Sequence, residues 1–188
     1  MGFTRAQLQN YRDVSVPDLV GEGMRLLFVG INPGLWTAAT QTHFAYPGNR
    51  FYPALHAAGI IDDLPDYSTG MTDADRAAFL ARGIGISNFV NRATARADEL
   101  SHDELRGGAV RLAETVRRWH PAVVAVVGIT AYRQGFDEPK ATTGEQPAGL
   151  EGARLWVVPN PSGLNAHDTV ATLAAAYAEP ARAAGLID

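Results

Sequence analysis

The sequence contains no cysteine and only one lysine, Lys140, among its 16 basic residues. The absence of cysteine excludes disulfide bonds, thiolate nucleophiles and cysteine-ligated zinc sites, and it fits a reducing cytosol. Long apolar runs are also absent, since stretches such as Ala122–Val127 are far too short to cross a bilayer. Near the N-terminus, Gln9, Asn10 and Asp13 are polar where a signal peptide needs an apolar core. We therefore expect a soluble, cytoplasmic protein with no membrane partner.

Basic charge is scarce as well, because 20 acidic residues outnumber the 16 basic ones and give a formal net charge of -4. This balance argues mildly against a nucleic-acid partner, because phosphate binding usually goes with a basic domain. It does not exclude one, since a local group of arginines and backbone donors can bind phosphate on an acidic protein. The length of 188 residues and the 46% hydrophobic content predict one globular domain, 1–188.

Short apolar runs alternate with helical patterns along the chain. Alternation of this kind predicts an α/β fold, a three-layer α/β/α sandwich around a short, mainly parallel four-stranded sheet. The stretches 35–48 and 135–152 have loop composition and are predicted to lack strands and helices. The four predicted strands are Arg25–Ile31, Gly83–Asn88, Pro121–Gly128 and Arg154–Val158.

Three of these strands end in or are soon followed by an asparagine: Asn32, Asn88 and Asn160. Ligands of open α/β sheets bind beyond the carboxyl ends of the strands, so three amides are expected at one binding edge. Amides do not titrate, but they can orient a water molecule and pair with the edge of a nucleobase. Phe44, in the neighbouring loop, could stack on such a base. Two alternatives remain open: the asparagines reflect turn composition alone, and Phe44 folds back onto the core.

Other chemistries find little support in the sequence. The five histidines have no zincin-like spacing, and Ser162 lacks the glycine context of a nucleophile elbow. No Walker loop is present, and Asn32 stands where a dinucleotide-binding motif would need its second glycine. We therefore expect neither a metal nor a cofactor.

Four motifs, in order, resemble the signatures of the mismatch-specific uracil-DNA glycosylases, which are relatives of thymine-DNA glycosylase. The similarity extends from about Leu26 to Tyr177. It implies hydrolysis of the N-glycosidic bond of a uracil that is flipped out of duplex DNA. The motifs are Gly30-Ile-Asn-Pro-Gly34, Phe44-Ala-Tyr-Pro-Gly-Asn-Arg-Phe-Tyr52, Gly85-Ile-Ser-Asn-Phe-Val-Asn-Arg92 and Asn160-Pro-Ser-Gly-Leu164.

The resemblance also implies a role for individual residues. Asn32 is the expected catalytic residue, which positions the attacking water, and the stacking ring would be Phe44. Leu164 would fill the gap that the flipped base leaves, and Ser162 would contact phosphate. The expected uracil pocket comprises Ile31, Thr37, Phe44, Asn88 and Asn160, and the expected DNA-binding residues are Ser162, Gly163, Leu164, Asn165 and His167.

The chain departs from the family pattern at three places. Asn88 stands where the bacterial mismatch-specific type often has lysine, and an amide there should read uracil O4 and N3–H together. Asn160 replaces a histidine that other branches of the superfamily use. Many relatives continue Ser-Arg after the wedge leucine, whereas this chain has Asn165-Ala-His167. His167 could take the place of the missing arginine on the DNA backbone, or it could be a surface residue without that role.

We therefore expect a monofunctional glycosylase that removes uracil, and as further candidates ethenocytosine and weakly thymine, from mismatched double-stranded DNA. Its expected partners are G:U duplexes and downstream abasic-site repair enzymes, and it should act as a monomer with the chromosomal DNA. Two alternatives remain: a mismatch-binding module whose catalysis has lapsed, and a nucleoside hydrolase that uses the same edge of the sheet.

Overall fold

The computed structural model describes residues 2–163 and 167–188. A five-stranded sheet lies at its centre, in the order β2-β1-β3-β5-β4. The first four strands of this order are parallel, and β4 runs antiparallel to β5. Every residue of β1, β2 and β3 is buried, which explains why β1 and β3 are continuous apolar runs; β2 is apolar until it ends in Ser87 and Asn88. The strands are β1 (Leu26–Gly30), β2 (Ile84–Asn88), β3 (Val123–Val127), β4 (Gly144–Glu145) and β5 (Arg154–Val158).

Seven α-helices and one short 3-10 helix, Ala97–Glu99, surround the sheet in the described residues. Four α-helices begin with a capping box, in which a Ser or Thr side chain accepts a hydrogen bond from the backbone N–H three residues on. The α-helices are α1 (Arg5–Gln9), α2 (Leu35–Thr40), α3 (Phe51–Ala57), α4 (Asp73–Ala81), α5 (His102–Trp119), α6 (Ile129–Gly135) and α7 (Val170–Ala183).

The two faces of the sheet carry separate apolar layers, as β1 illustrates. Leu26 and Phe28 belong to one core cluster, together with residues of α3 and α7. Leu27 and Val29 belong to a second cluster, which includes residues of α5 and α6. Because successive side chains of a strand point to opposite faces, helices cover the sheet on both sides. The predicted α/β sandwich with a mainly parallel sheet is therefore confirmed.

Two stretches predicted as loops contain regular structure. The segment 35–48 includes helix α2, whose Leu35 and Ala38 are buried in a small apolar cluster against the N-terminal segment. The segment 135–152 includes β4, which adds a fifth strand to the expected four. A helix of six residues and a strand of two are too short to produce a visible hydrophobic repeat, so the sequence pattern missed both.

Within residues 2–163 and 167–188, no helix combines the length and the apolar character needed to cross a membrane. The same residues contain no group of three or more His, Cys, Asp or Glu side chains placed to hold a metal ion.

Candidate active site at the carboxyl edge of the sheet

Asn32 lies two residues beyond β1, and its side-chain amide is held on one side by three acceptors. Its Nδ2 donates to the backbone oxygens of Pro33 and Arg92, each at 3.1 Å, and to Thr94 Oγ1 at 2.8 Å. Carbonyl oxygens can only accept, so the group that faces them must be the NH2 end of the amide. The orientation of Asn32 is therefore fixed by its neighbours.

The other end of the Asn32 amide is directed to open space. Within the described residues no hydrogen bond to its Oδ1 is present, and Asn32 lines two small cavities of about 180 and 130 Å³. An amide oxygen held in this way is a fixed acceptor that can orient a water molecule. This is the role that the sequence predicted for Asn32, and the geometry is compatible with it.

Thr94 is a site residue that sequence analysis missed. Its side chain is buried, and Oγ1 donates to the Arg96 oxygen at 2.7 Å while it accepts from Asn32 Nδ2. Its backbone N–H also donates to the Pro33 oxygen at 3.1 Å. Because the hydroxyl proton is used by Arg96, the oxygen presents a lone pair to Asn32. Thr94 lies two residues after the last residue of its motif, and nothing in its type or spacing indicates this role.

Arg92, whose backbone oxygen also binds Asn32, is anchored by two carboxylates. Its guanidinium contacts Glu104 at 2.6 Å and Asp13 at 3.0 Å. The Arg92 side chain and the Ser101 backbone lower the pKa of Glu104 to about 2. Both carboxylates lie on other elements, α5 and the N-terminal segment, so they fix the position of the loop that orients Asn32.

Asn88, the last residue of β2, is buried beside His43. The distance from Asn88 Nδ2 to His43 Nδ1 is 3.0 Å, and His43 Nε2 lies 2.9 Å from the Pro17 oxygen. Burial lowers the pKa of His43, although the Pro17 hydrogen bond and nearby Asp18 act in the opposite direction. The neutral ring must place its proton on Nε2, because Pro17 offers only an acceptor. Nδ1 is then the acceptor, and Asn88 presents its NH2 end to it.

The carboxyl end of β1 makes room for these side chains through Gly30. A Cβ atom at this position would lie 2.5 Å from Asn88 Oδ1 and 3.1 Å from Phe44 Cζ. Gly30 thus allows the Asn88 amide and the Phe44 ring to approach the backbone of β1. The first glycine of the Gly30–Gly34 motif is explained by this close approach rather than by turn geometry.

Phe44 joins the core to the candidate pocket. Its ring stacks on that of Phe51, with centroids 4.1 Å apart and an angle of 24° between the planes. It also lines both small cavities. The ring is therefore packed on the core, as one sequence hypothesis has it, and it also borders the cavities; stacking on a base stays a prediction. Its φ of +55° is uncommon for a residue with a side chain, and such conformations concentrate at functional sites.

The remaining predicted pocket residues divide between the two cavities. Ile31 and Asn160 line the larger one, and Thr37 and Asn88 line the smaller one. The three asparagines therefore do meet at one edge. Asn49 lines both cavities and was not predicted to do so. Its Oδ1 accepts from the Phe51 N–H at 2.9 Å, as expected of a residue that precedes a helix, and this common signal gave no reason to place it in the site.

The loop after β5 is tied to the start of α3. Asn160 Oδ1 accepts from the Ser162 N–H at 2.9 Å. Arg50 donates to the Gly163 oxygen at 3.2 Å and also to the Asp168 oxygen. Arg50 thus holds both ends of the predicted wedge segment, a role the sequence did not indicate.

The predicted DNA-binding residues have different positions. Ser162 and Gly163 line a cleft of about 860 Å³ that opens beside the small cavities. His167 is exposed and is not among the residues that line these cavities. Leu164 and Asn165 lie outside the described residues.

Comparisons with known proteins agree with this description. A family model, the uracil DNA glycosylase superfamily, matches residues 17–180. A solution NMR structure from Methanosarcina acetivorans, provisionally described as a uracil DNA glycosylase, is similar with a TM-score of 0.53 and 16% sequence identity. The match covers 88% of this chain and 98% of that chain. At 16% identity the structural match supports the fold alone. The match to the family model covers most of the sequence and includes all four sequence motifs.

Proposed function

This chain belongs to the uracil DNA glycosylase superfamily, and we propose that it is a monofunctional glycosylase that releases uracil from G:U mismatches in double-stranded DNA. Membership implies a hydrolase that removes a base from DNA. The mismatch preference and the residue roles are our proposals. Ethenocytosine is a second candidate substrate, and thymine a weak one.

The orientation of the Asn32 amide is the observation that carries the proposal. With Nδ2 committed to three acceptors, Oδ1 can accept a hydrogen bond from a water molecule in the cavity. That water attacks C1′ of the flipped nucleotide, the bond from C1′ to N1 of uracil breaks, and the base leaves as an anion. The water proton passes to solvent or to the departing base. Asn32 cannot ionise, so its contribution is positioning, and we expect slow turnover.

Asn88 is suited to recognise uracil because one of its N–H groups is committed to His43. The second N–H can donate to uracil O4, and Oδ1 can accept from N3–H. Cytosine presents the opposite order of donor and acceptor at these two positions, so the same amide would reject it. The hydrogen bond to O4 also stabilises the uracil anion as it forms.

The remaining pocket residues complete the enclosure of the base in this proposal. Phe44 offers the free face of its ring for stacking, while Ile31 and Asn160 lie toward the sugar. Thr37 is buried and lines the smaller cavity, and in this proposal its methyl group would crowd the C5 methyl of thymine. This crowding is our reason for proposing that thymine is a weak substrate.

The segment that begins at Ser162 is proposed to contact the DNA. Ser162 binds a phosphate, and Leu164 fills the gap left in the duplex. Arg50 supports this segment from α3 through the backbone of Gly163 and Asp168. We propose further that the enzyme acts as a monomer on chromosomal DNA and passes its abasic product to downstream repair enzymes.

The experiment that tests this function measures alkali-labile strand cleavage of labelled duplexes that carry G:U, A:U or G:T, and of single-stranded DNA that carries uracil. Wild type is compared with Asn32→Ala and with Gln134→Ala, a matched control that removes an amide on α6, away from the two small cavities and the cleft. We expect product from G:U that is lost in Asn32→Ala, retained in the control, and accompanied by unchanged DNA binding.

Other outcomes would replace the proposal. Tight binding of G:U duplex without product at enzyme excess would favour a binding module. Cleavage of free nucleosides, with no activity on DNA, would favour a nucleoside hydrolase. Equal rates for G:U and A:U would support the glycosylase activity but contradict the proposed mismatch preference.

A further inference from the structure

The cleft of about 860 Å³ is continuous with the candidate active site, because Gly34, Thr37 and Asn49 line both it and the smaller cavity. One wall of the cleft is formed by α1, through Arg5 and Gln9. The family model begins at residue 17, so this wall lies outside the residues that it matches.

The charge of the cleft differs from that of the protein. The residues that line it include three arginines, Arg5, Arg50 and Arg96, and no aspartate or glutamate. In a chain with 20 acidic and 16 basic residues, this segregation indicates a polyanionic ligand.

Among these arginines, Arg5 differs from the other two in its contacts. Arg96 pairs with Asp98, and Arg50 donates to backbone oxygens of the wedge segment. Within the described residues, no ion pair or hydrogen bond to the Arg5 side chain is present. Most arginines of this protein are paired with carboxylates, so an exposed cation on the wall of a cleft without acids is available for a ligand.

Helix α1 is held in place by contacts with α2 and with residues near the candidate site. Phe3 packs edge-on against Trp36 of α2, with ring centroids 5.0 Å apart. Arg12 forms an ion pair with Glu99, and Asp13 contacts Arg92 at 3.0 Å. The wall is therefore fixed relative to the loop that orients Asn32.

The same cleft is also lined by an exposed aromatic ring. Tyr46 is 58% exposed, an unusual exposure for a large ring, and it packs edge-on against Trp36. A cleft lined by an unpaired arginine and an exposed tyrosine suits a sugar-phosphate chain, which carries charge and presents apolar sugar faces.

We propose that the α1 wall binds the backbone of the DNA strand beside the flipped nucleotide, with Arg5 on a phosphate. The inference rests on the proposed function, because it takes the strand at the active site as the ligand. It adds a contact outside residues 17–180, the range that the family model matches. This contact helps to explain how a protein with a formal net charge of -4 would hold DNA.

The test measures binding of a fluorescent G:U duplex as a function of salt, in wild type, Arg5→Ala, Arg5→Lys and Arg118→Ala. Arg118 is the matched control, since it is an exposed arginine at the C-terminal end of α5 that stacks on Trp119. All four carry Asn32→Ala to prevent turnover. We expect Arg5→Ala to raise Kd roughly fivefold at about 100 mM salt and to reduce the slope of log K against log salt by about one. Arg5→Lys should recover most of the loss.

A second experiment identifies the phosphate that Arg5 contacts. Duplexes that are each neutralised at one phosphate by a methylphosphonate are compared in wild type and Arg5→Ala. Neutralising one phosphate near the flipped nucleotide should raise the Kd of wild type but leave the Kd of Arg5→Ala unchanged. The proposal is wrong if Arg5→Ala leaves the slope unchanged, if Arg118→Ala weakens binding equally, or if no phosphate distinguishes the two proteins. Excision by the unmodified wild type is measured separately, so a failure of the glycosylase assignment is distinguishable from a failure of the α1 contact.

Discussion

His43 Nδ1 lies 3.0 Å from Asn88 Nδ2, and this contact determines which way the Asn88 amide faces. Because Pro17 occupies Nε2 as an acceptor, a neutral His43 can only accept from Asn88. The order of donor and acceptor that Asn88 offers to a base therefore depends on the protonation state of a buried ring. His43 is a positioning residue in this arrangement.

The first prediction concerns the rate of uracil release at low pH. Protonated His43 would carry N–H groups on both nitrogens, so Asn88 would have to turn its Oδ1 toward the ring. The base would then meet the reversed order of donor and acceptor. We expect the single-turnover rate of uracil release to fall as the pH drops through the lowered pKa of His43. In His43→Gln, which does not titrate there, this acid limb should disappear.

The pH dependence of the free energy of unfolding should also reflect the titration of His43. The pKa of His43 is lowered from 6.5, mainly by burial, with a smaller effect of Arg76 in the same direction and opposing effects of Pro17 and Asp18. Between the lowered pKa and 6.5 the unfolded chain binds more protons, so the free energy of unfolding should decrease as the pH falls through this window. Urea unfolding of wild type and His43→Gln between pH 4 and 8 checks this. Parallel curves for the two proteins would show that His43 is not the titrating group.

The second prediction concerns Thr94. Thr94→Val keeps the shape of the side chain but removes the oxygen that accepts from Asn32 and donates to Arg96. Loss of a buried hydrogen bond costs about 1–3 kcal/mol, so we expect a decrease of roughly 10- to 100-fold in the single-turnover rate. Kd for the duplex should not change. Thr94→Ser, which keeps the hydroxyl, should retain most of the rate; an equal loss in both variants would indicate a packing role instead.

The third prediction is that Asn32→Asp does not improve the enzyme. A carboxylate at this position would face the oxygens of Pro33 and Arg92, both of which can only accept. We expect its pKa to rise, the free energy of unfolding to fall by about 1–3 kcal/mol, and excision to stay below that of wild type at neutral pH. Chemical denaturation and single-turnover kinetics measure the two effects. An aspartate variant faster than wild type would contradict the proposed role of the Asn32 amide.

The fourth prediction compares two glycines. In Gly30→Ala the new methyl group would lie 2.5 Å from Asn88 Oδ1, so the amide must move and its contact with His43 is lost. We expect a loss of about 1–3 kcal/mol in stability together with a marked decrease in uracil release. Gly107→Ala is the control, because no atom lies within 4 Å of a Cβ at this position in α5. It should stabilise the protein by about 0.5–1 kcal/mol and leave excision unchanged.

Much of the fold could be predicted because it depends on local patterns. The strand Arg154–Val158 was predicted with the bounds that the structure gives. Helix α5 begins with a capping box of Ser101 and Glu104, a spacing that is visible in the sequence itself. Each of these signals involves residues a few positions apart, so no tertiary information was required.

The support of the site could not be predicted in the same way. Thr94 meets Asn32 across 62 positions of sequence, and His43 meets Asn88 across 45. Contacts of this range arise only when the ends of β1 and β2 are brought side by side. The residue types did not indicate these contacts either, because threonine in a loop and histidine near an apolar segment have many ordinary roles.

The stacking of Phe44 on Phe51 has a consequence for the timing of recognition. Phe51 is fully buried, so the Phe44 ring, the proposed platform for the base, rests on the folded interior before any DNA arrives. If Phe44 stacks on the flipped base as proposed, the pocket needs little rearrangement to receive it. Most of the conformational change on binding should then occur in the DNA, and the rate of base capture should depend on how often a weak G:U pair opens by itself.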